Sequence, residues 1–336
     1  MLQDHQGVIF DLIKREIQGK DSLGNVVGEI LNISQDAVYR RFRGETHLTI
    51  YELEKLSKHF NISLDTLFNV NKNKVLFEYQ PIAGYDFSMG LYLRNMLRAL
   101  DALKDQKNPE LVISVNNTPI IQLLNFPHLI RFKLFFWAKT HLQIEEFKDQ
   151  KFKYEKFDPE VFSIGQDVLR LYCKVPSREI YDPELLRGFV REVYYYFESQ
   201  QFEDPTYAIY ILELLDRFVD HLKAQAEVGK KFIATTEPPA SGNEFEMYHN
   251  ETLNGNTTIY YRTDSFAGLY FGHNLMNAVH TIDSAYIEDS LAVLNKQMAN
   301  SSVISLTNEK ERNNYFGQLK NFIANFKKKM ELELNL

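Results

Sequence analysis

From Ser34 to Gly44 the chain reads SQDAVYRRFRG, and these residue types are suited to gripping phosphate and reading base edges. Arginine presents a rigid donor fork that matches the paired acceptors of guanine. A glutamine amide matches the donor and acceptor edge of adenine, while tyrosine, serine and further arginines reach phosphate oxygens. If the segment is helical, Val38 turns inward. Gln35, Asp36, Tyr39, Arg40 and Arg43 then share the outer face, Ser34 caps its start and Arg41 adds to the charge. The totals conceal this cluster: residues 1–72 hold nine Lys and Arg against ten Asp and Glu, and most of the net charge of −7 lies beyond them. Phosphate affinity comes from Lys and Arg, so an acidic chain is a poor general coat for nucleic acid and its affinity must be local.

Such a face needs a frame, and the run VVGEILNISQDAVYRRFRG, residues 26–44, reads as two helices crossing at a sharp turn. Gly28 lets the helices approach closely, and Val27, Leu31, Ile33 and Val38 hold the pair together. Asn32 sits at the turn, where a left-handed backbone is needed. Around this pair the apolar spacing predicts five short helices, over 7–18, 23–31, 35–43, 50–60 and 64–69. Thr49 and Glu52 form a capping-box pair, followed by the apolar positions Leu53, Leu56, Phe60, Ile62, Leu64 and Leu67. Phe42, four residues after Val38, is expected to pack against the helix that follows.

In Gly28, Leu31, Asn32, Ile33-Ser34, Val38 and Arg43-Gly44, and in the two helices downstream, the segment resembles the Cro-type or lambda-repressor-like (XRE) helix-turn-helix family. The resemblance spans about a fifth of the chain. It implies a five-helix domain over 1–72 that binds double-stranded DNA, with Ser34, Gln35, Asp36, Tyr39, Arg40, Arg41 and Arg43 at the contact. The sequence departs from the family twice. Ser22, Leu23 and Gly24 stand where the family often places a backbone-bracing Gln, and Arg41 stands where it usually has a half-buried apolar residue, a packing role left to Phe42. The resemblance implies a sequence-specific transcriptional regulator, acting as a homodimer because one recognition helix reads few base pairs. Two other readings stay open: an ordinary helical hairpin with a basic face, and an adaptor that docks a protein.

Beyond residue 72 the polar stretch 71–74 reads as a linker. A helix-rich region over 73–227 and an α+β region over 228–336 are expected, or one domain over 73–336. The fold class that follows is mostly α: the five-helix domain plus a larger, helix-rich α+β C-terminal domain. Helices are predicted over Tyr85 to Leu103, Tyr286 to Met298 and Glu309 to Leu332. Further helices should follow the pairs Asp158-Pro159, Asp182-Pro183 and Asp204-Pro205. Strands are expected at Leu111 to Val115, Phe232 to Thr235 and Ser302 to Leu306. A β-hairpin should join Glu244 to His249 with Thr257 to Arg262 across an Asn254-Gly255 turn.

This larger part could receive a small-molecule or protein effector, and its sequence offers little catalytic chemistry. It has no glycine-rich phosphate loop, Gly-x-Ser-x-Gly elbow or His-Glu-x-x-His helix, so neither an enzyme nor a cofactor is expected. His249, His273 and His280 come nearest to a metal cluster, and isolated structural histidines account for them more simply. Cys173 reads as core rather than a redox sensor, and Tyr194, Tyr195 and Tyr196 as interhelical packing rather than a ligand pocket. Lys327, Lys328 and Lys329 read as a solvated helix end rather than a phosphate contact. The clusters around Phe132, Phe135, Phe136 and Trp137 should dominate the core. A single cysteine and the lack of a signal-like N-terminus suggest the cytoplasm. The longest apolar run, Leu129 to Ala138, is broken by Arg131 and Lys133, which argues against a membrane span.

Overall fold

The computed structural model describes residues 5–17, 22–60, 62, 64, 74–79, 89–153, 159–252, 254–273 and 277–335. The chain forms two compact units, Met1–Leu76 and Phe77–Leu336. Unit 1 contains α1 (His5–Glu16), α2 (Leu23–Leu31), α3 (Gln35–Phe42) and α4 (Ile50–His59). The expected fifth helix, 64–69, lies outside the described residues apart from Leu64, which packs on the unit's core, and so does most of the 71–74 linker. Helices this short are marginal in isolation. They hold because each turns one apolar stripe inward: Ile9, Phe10 and Ile13 of α1, Val27 and Leu31 of α2, Val38 of α3 and Leu56 of α4. A fully buried side chain of this size contributes roughly 1.5–3 kcal/mol.

The helix ends are set by local chemistry. Ser22 and Ser34 cap α2 and α3 by accepting the N–H of Asn25 and Ala37, and Thr49 with Glu52 closes a reciprocal capping box on α4. Asn32 ends α2 in the left-handed region at φ 58°. Phe42 meets Phe10 of α1 edge to face at 5.8 Å and carries Lys14 over its ring. Its packing partner is therefore the first helix rather than the following one.

Unit 2 overturns the mostly-α expectation, because it is built on one eight-stranded mixed sheet in the order β1-β7-β6-β5-β2-β3-β4-β8. The strands are β1 (Glu78–Tyr79), β2 (Glu110–Val115), β3 (Ser177–Tyr181), β4 (Phe245–His249), β5 (Thr258–Arg262), β6 (Ala267–His273), β7 (Asn277–Thr281) and β8 (Ser302–Val303). β2, β3 and β4 run parallel, and the other neighbours pair antiparallel. Parallel neighbours need long crossovers. Here they are helical: α5 (Met89–Lys104) precedes β2; α6 (Ile120–Leu123), α7 (Pro127–Phe136) and α8 (Pro159–Lys174) join β2 to β3; and α9 (Arg187–Glu198) and α10 (Thr206–Val228) join β3 to β4. α11 (Ser284–Ala299) and the closing α12 (Glu309–Leu334) complete the unit.

Strand alternation divides the core in two. Leu111, Ile113, Val115, Tyr181, Phe245 and Met247 face the main core, where Phe132, Phe136 and Trp137 pack with α8, α9, α10 and α12. Val112, Ile180, Tyr260 and Leu269 face the other way, onto Ile287, Leu294 and Met298 of α11.

The hairpin expected across Asn254-Gly255 does not form, since β2 and β3 lie between β4 and β5. Asn254 is a tie rather than a turn residue. Its amide donates to the carbonyls of Val115 and Ile180 at 2.8 and 3.1 Å, and its N–H donates to Asp182 at 3.0 Å. These bonds draw the chain across the carboxyl ends of β2 and β3 and deliver β5 to the far side of β2. The hairpins that do form are β5–β6 and β6–β7. No strand forms at 232–235, and Asp182 accepts the Glu184 N–H in a turn that precedes α9. Asp158 lies outside the described residues, and α8 begins at Pro159.

In the middle of the parallel trio, β3 carries a buried carboxylate. Glu179 accepts hydroxyl hydrogen bonds from Tyr172, Ser177 and Tyr181. Lys231, 0% exposed, places its ammonium 3.8 Å from the centre of the Tyr172 ring, and that ammonium makes no hydrogen bond. Burial, followed by the Glu179 charge and hydrogen bond, raises Tyr172 well above the ordinary tyrosine value. Burial lowers Lys231 to about 8, against the pull of Glu179.

Candidate nucleic-acid interface

Val38 has no exposed surface, and this rotates α3 so that Ser34, Gln35, Asp36, Arg40 and Arg43 are exposed. The Arg40 and Arg43 side chains keep 56% and 51% of their surface in solvent. Ser34 is at the base of this face with its hydroxyl engaged in the cap, and the Gln35 amide donates to the Asn25 side chain. Tyr39 is half-buried because it lies over Gly24: a β-carbon at Gly24 would come within 2.9 Å of the Tyr39 ring and 3.3 Å of the Gln35 side chain. The close approach of the two helices is thus at Gly24. At Gly28, by contrast, a β-carbon would meet the Ile33 carbonyl of the turn at 3.0 Å.

Arg41 is not brought to this face. Its guanidinium turns to α4, donates to both carboxylate oxygens of Glu52 at 3.2 and 2.8 Å and to the Ala37 carbonyl, and is 14% exposed. Burial would raise the Glu52 carboxyl. The Thr49 N–H, the Arg41 hydrogen bond and charge, and the Thr49 side chain together outweigh it, so the net shift is downward. In the family pattern this position is apolar and half-buried; here an ion pair occupies the same inward site.

Two contributors escaped the sequence reading. Gln6 of α1 donates to the carbonyls of Arg41 and Thr46 and accepts the N–H of Leu48, at 2.7, 2.9 and 2.8 Å, fastening the loop after α3 to the first helix. No periodicity marks a single glutamine about forty residues away from its partners. Glu45 pairs with both exposed arginines: the Arg43 Nε at 2.5 Å and the Arg40 Nε at 3.7 Å. The Arg43 hydrogen bond holds the Glu45 carboxyl below the usual carboxylate range against desolvation, with the charges of Arg43 and Arg40 adding to it.

The side chains singled out in unit 2 are spread between its core and its surface. Burial pushes the Cys173 thiol up to about 11. Tyr196 is buried with its hydroxyl on Thr140, Tyr194 packs edge to face on Phe326, and Tyr195 is exposed. His249 pairs with Glu311 and His280 with Tyr261, while His273 is exposed at the end of β6. Among the described residues no three His, Cys, Asp or Glu side chains are grouped to hold a metal ion. Lys327 pairs with Glu213, and Lys329 lies over the Tyr194 ring. No described helix is long and apolar enough to cross a membrane.

No curated protein matches the chain. Residues 8–99 match the family model described as the BetR domain, which is associated with helix-turn-helix DNA-binding regulators, so this part of the chain is similar to that class of regulatory domain.

Proposed function

We propose that the chain is a sequence-specific transcriptional regulator of the cytoplasm, in which the outer face of α3 enters the major groove of duplex DNA. The observation that carries this reading is the division of α3, with Val38 sealed in the core and Arg40 and Arg43 held outward on a capped, packed helix. In this geometry Arg40 and Arg43 grip guanine edges or phosphates, Gln35 reads a base edge, and the backbone around Ser34 approaches a phosphate. Unit 2 dimerises and receives the signal from a small-molecule or protein effector. Two copies are needed because one helix contacts too few base pairs for useful discrimination. The role is binding rather than catalysis.

Arg40→Ala and Arg43→Ala should each weaken DNA retardation by the full chain roughly ten- to a hundredfold without lowering the melting temperature of unit 1. Arg41→Ala should do the reverse, lowering the melting temperature through loss of the Glu52 pair with less effect on the salt dependence of binding. Unchanged retardation by both Arg40 and Arg43 variants would sink the DNA reading. An adaptor role would replace it, for which Ile50 and Tyr51 at the start of α4, 87% and 64% exposed, offer an apolar contact.

A further inference from the structure

The exposed arginines of α3 are already occupied. After Phe42 the chain closes the helix with two backward hydrogen bonds, from the Gly44 N–H to the Arg41 carbonyl at 3.0 Å and from the Glu45 N–H to the Arg40 carbonyl at 2.9 Å. These are the two bonds of a Schellman C-cap, and they need a left-handed residue between helix and exit. Gly44 provides it at φ 75°, a conformation that L side chains rarely adopt. The cap therefore fixes where Glu45 emerges: directly beyond the last turn of α3, with its carboxylate on Arg43 at 2.5 and 3.2 Å and 3.7 Å from Arg40. The cap sets the backbone of Glu45, and its half-exposed carboxylate is held by the two arginines. Arg41, the third arginine of the run, is bound to Glu52.

A phosphate approaching the outer face of α3 thus meets two cations already carrying a carboxylate. It must displace that carboxylate or accept it as a close like charge. Either cost falls on every duplex regardless of sequence, because phosphate contacts carry no sequence information. Contacts to base edges, which exist only at the right site, are what can repay it. We propose that Glu45 is a built-in competitor for DNA phosphate, seated by the C-cap of α3 beside Arg40 and Arg43, which weakens the electrostatic part of binding to every duplex, so that only sites adding base-edge contacts are held. This inference rests on the DNA-binding reading above and assigns Glu45 as the residue that sets the sequence-independent part of the affinity within it.

The test compares the full-length parent with Glu45→Gln and with Glu54→Gln, which removes an exposed carboxylate that pairs only with Lys58 on α4. The probes are a labelled short duplex of randomised sequence and the duplex that the parent enriches from the same library, both followed by fluorescence anisotropy across a salt series. Glu45→Gln should bind the randomised duplex about three- to tenfold more tightly at low salt, with a log–log salt slope steeper by up to about 0.9. The enriched duplex should tighten by a similar factor, leaving the ratio of the two affinities within about twofold, and Glu54→Gln should give less than half of the gain. Equal or weaker binding by Glu45→Gln overturns the proposal while leaving the DNA reading intact. An equal gain from Glu54→Gln also overturns it, because net charge alone would then explain the effect. If the parent binds neither duplex at any salt, the DNA reading itself fails and this inference fails with it.

Discussion

Arg40 and Arg43 keep more than half of their side-chain surface in solvent and share one exposed carboxylate, whereas Lys231 has no exposed surface and its ammonium has no hydrogen-bond partner. The first arrangement is cheap to form and cheap to break. Exposed pairs contribute little to stability, so their value lies in what can displace them. The second is held by its surroundings: three hydroxyl donors on Glu179, and the Tyr172 ring beneath the ammonium. Charge inside unit 2 is thus committed to the fold, and charge on the outer face of α3 is available for exchange.

That contrast breaks most directly at Glu179. Glu179→Leu leaves the Tyr172, Ser177 and Tyr181 hydroxyls without their acceptor and Lys231 without a compensating charge. Taking the acceptor from three buried hydroxyls and the counter-charge from a buried lysine together costs about 3–5 kcal/mol. Urea unfolding followed by Trp137, the one tryptophan of the chain and buried in the main core of unit 2, should show a loss of this size. The first thermal transition of unit 1 should be unchanged. A loss below about 1 kcal/mol would mean that the cluster is no more committed than a surface pair.

Lys231 gives a smaller effect of opposite sign. Its pKa falls from 10.5 to about 8 on folding, so the unfolded chain binds more protons between those values. Unit 2 should therefore gain stability from this group as pH rises from about 8 towards 10.5, and carry its full burial cost below about 8. Lys231→Met removes that cost. At pH 7 the variant should be more stable than the parent by about 1–3 kcal/mol, with the advantage shrinking towards pH 10.5. Urea midpoints measured across this range check it, and an advantage that does not vary with pH would count against a buried charged lysine.

The same contrast explains which parts could be read from the sequence. Helix boundaries in unit 1 depend on residues a few positions apart, so Ser34, Asn32 and the Thr49–Glu52 box could be placed without knowing the fold. The outward set Gln35, Asp36, Arg40 and Arg43 followed from Val38 by helical period alone. Arg41 did not, because the outlet for its charge, Glu52, lies on another helix. In unit 2 the middle strand of the parallel trio, β3, was missed: Ser177, Arg178 and Glu179 look like a polar turn after α8 until Tyr172 and Tyr181 are seen to satisfy the carboxylate. The Asn254-Gly255 turn signal was misleading for a related reason. An asparagine that closes a tight turn and one that ties two strand ends together are the same residue in a sequence; the distant carbonyls of Val115 and Ile180 decide between them.

The finest test lies within unit 1, between the yielding outer side of α3 and its packed inner side, and it uses two glycines of one helix. A methyl group at either position gains up to about 1 kcal/mol of helix propensity. At Gly24 it meets the edge of the half-buried Tyr39 ring, which can swing outward; at Gly28 it meets the Ile33 carbonyl, held by the turn that joins α2 to α3. Gly24→Ala should therefore leave the melting temperature of unit 1 nearly unchanged and weaken DNA binding, because Tyr39 is displaced on the outer face. Gly28→Ala should lower the melting temperature by several degrees, corresponding to about 1 kcal/mol in a unit of this size, with binding retained at temperatures where the unit is folded. Should the two variants exchange these behaviours, the contact at Gly24 would be the unyielding one, the Ile33 turn would give way instead, and the outer face would be as rigid as the core beneath it.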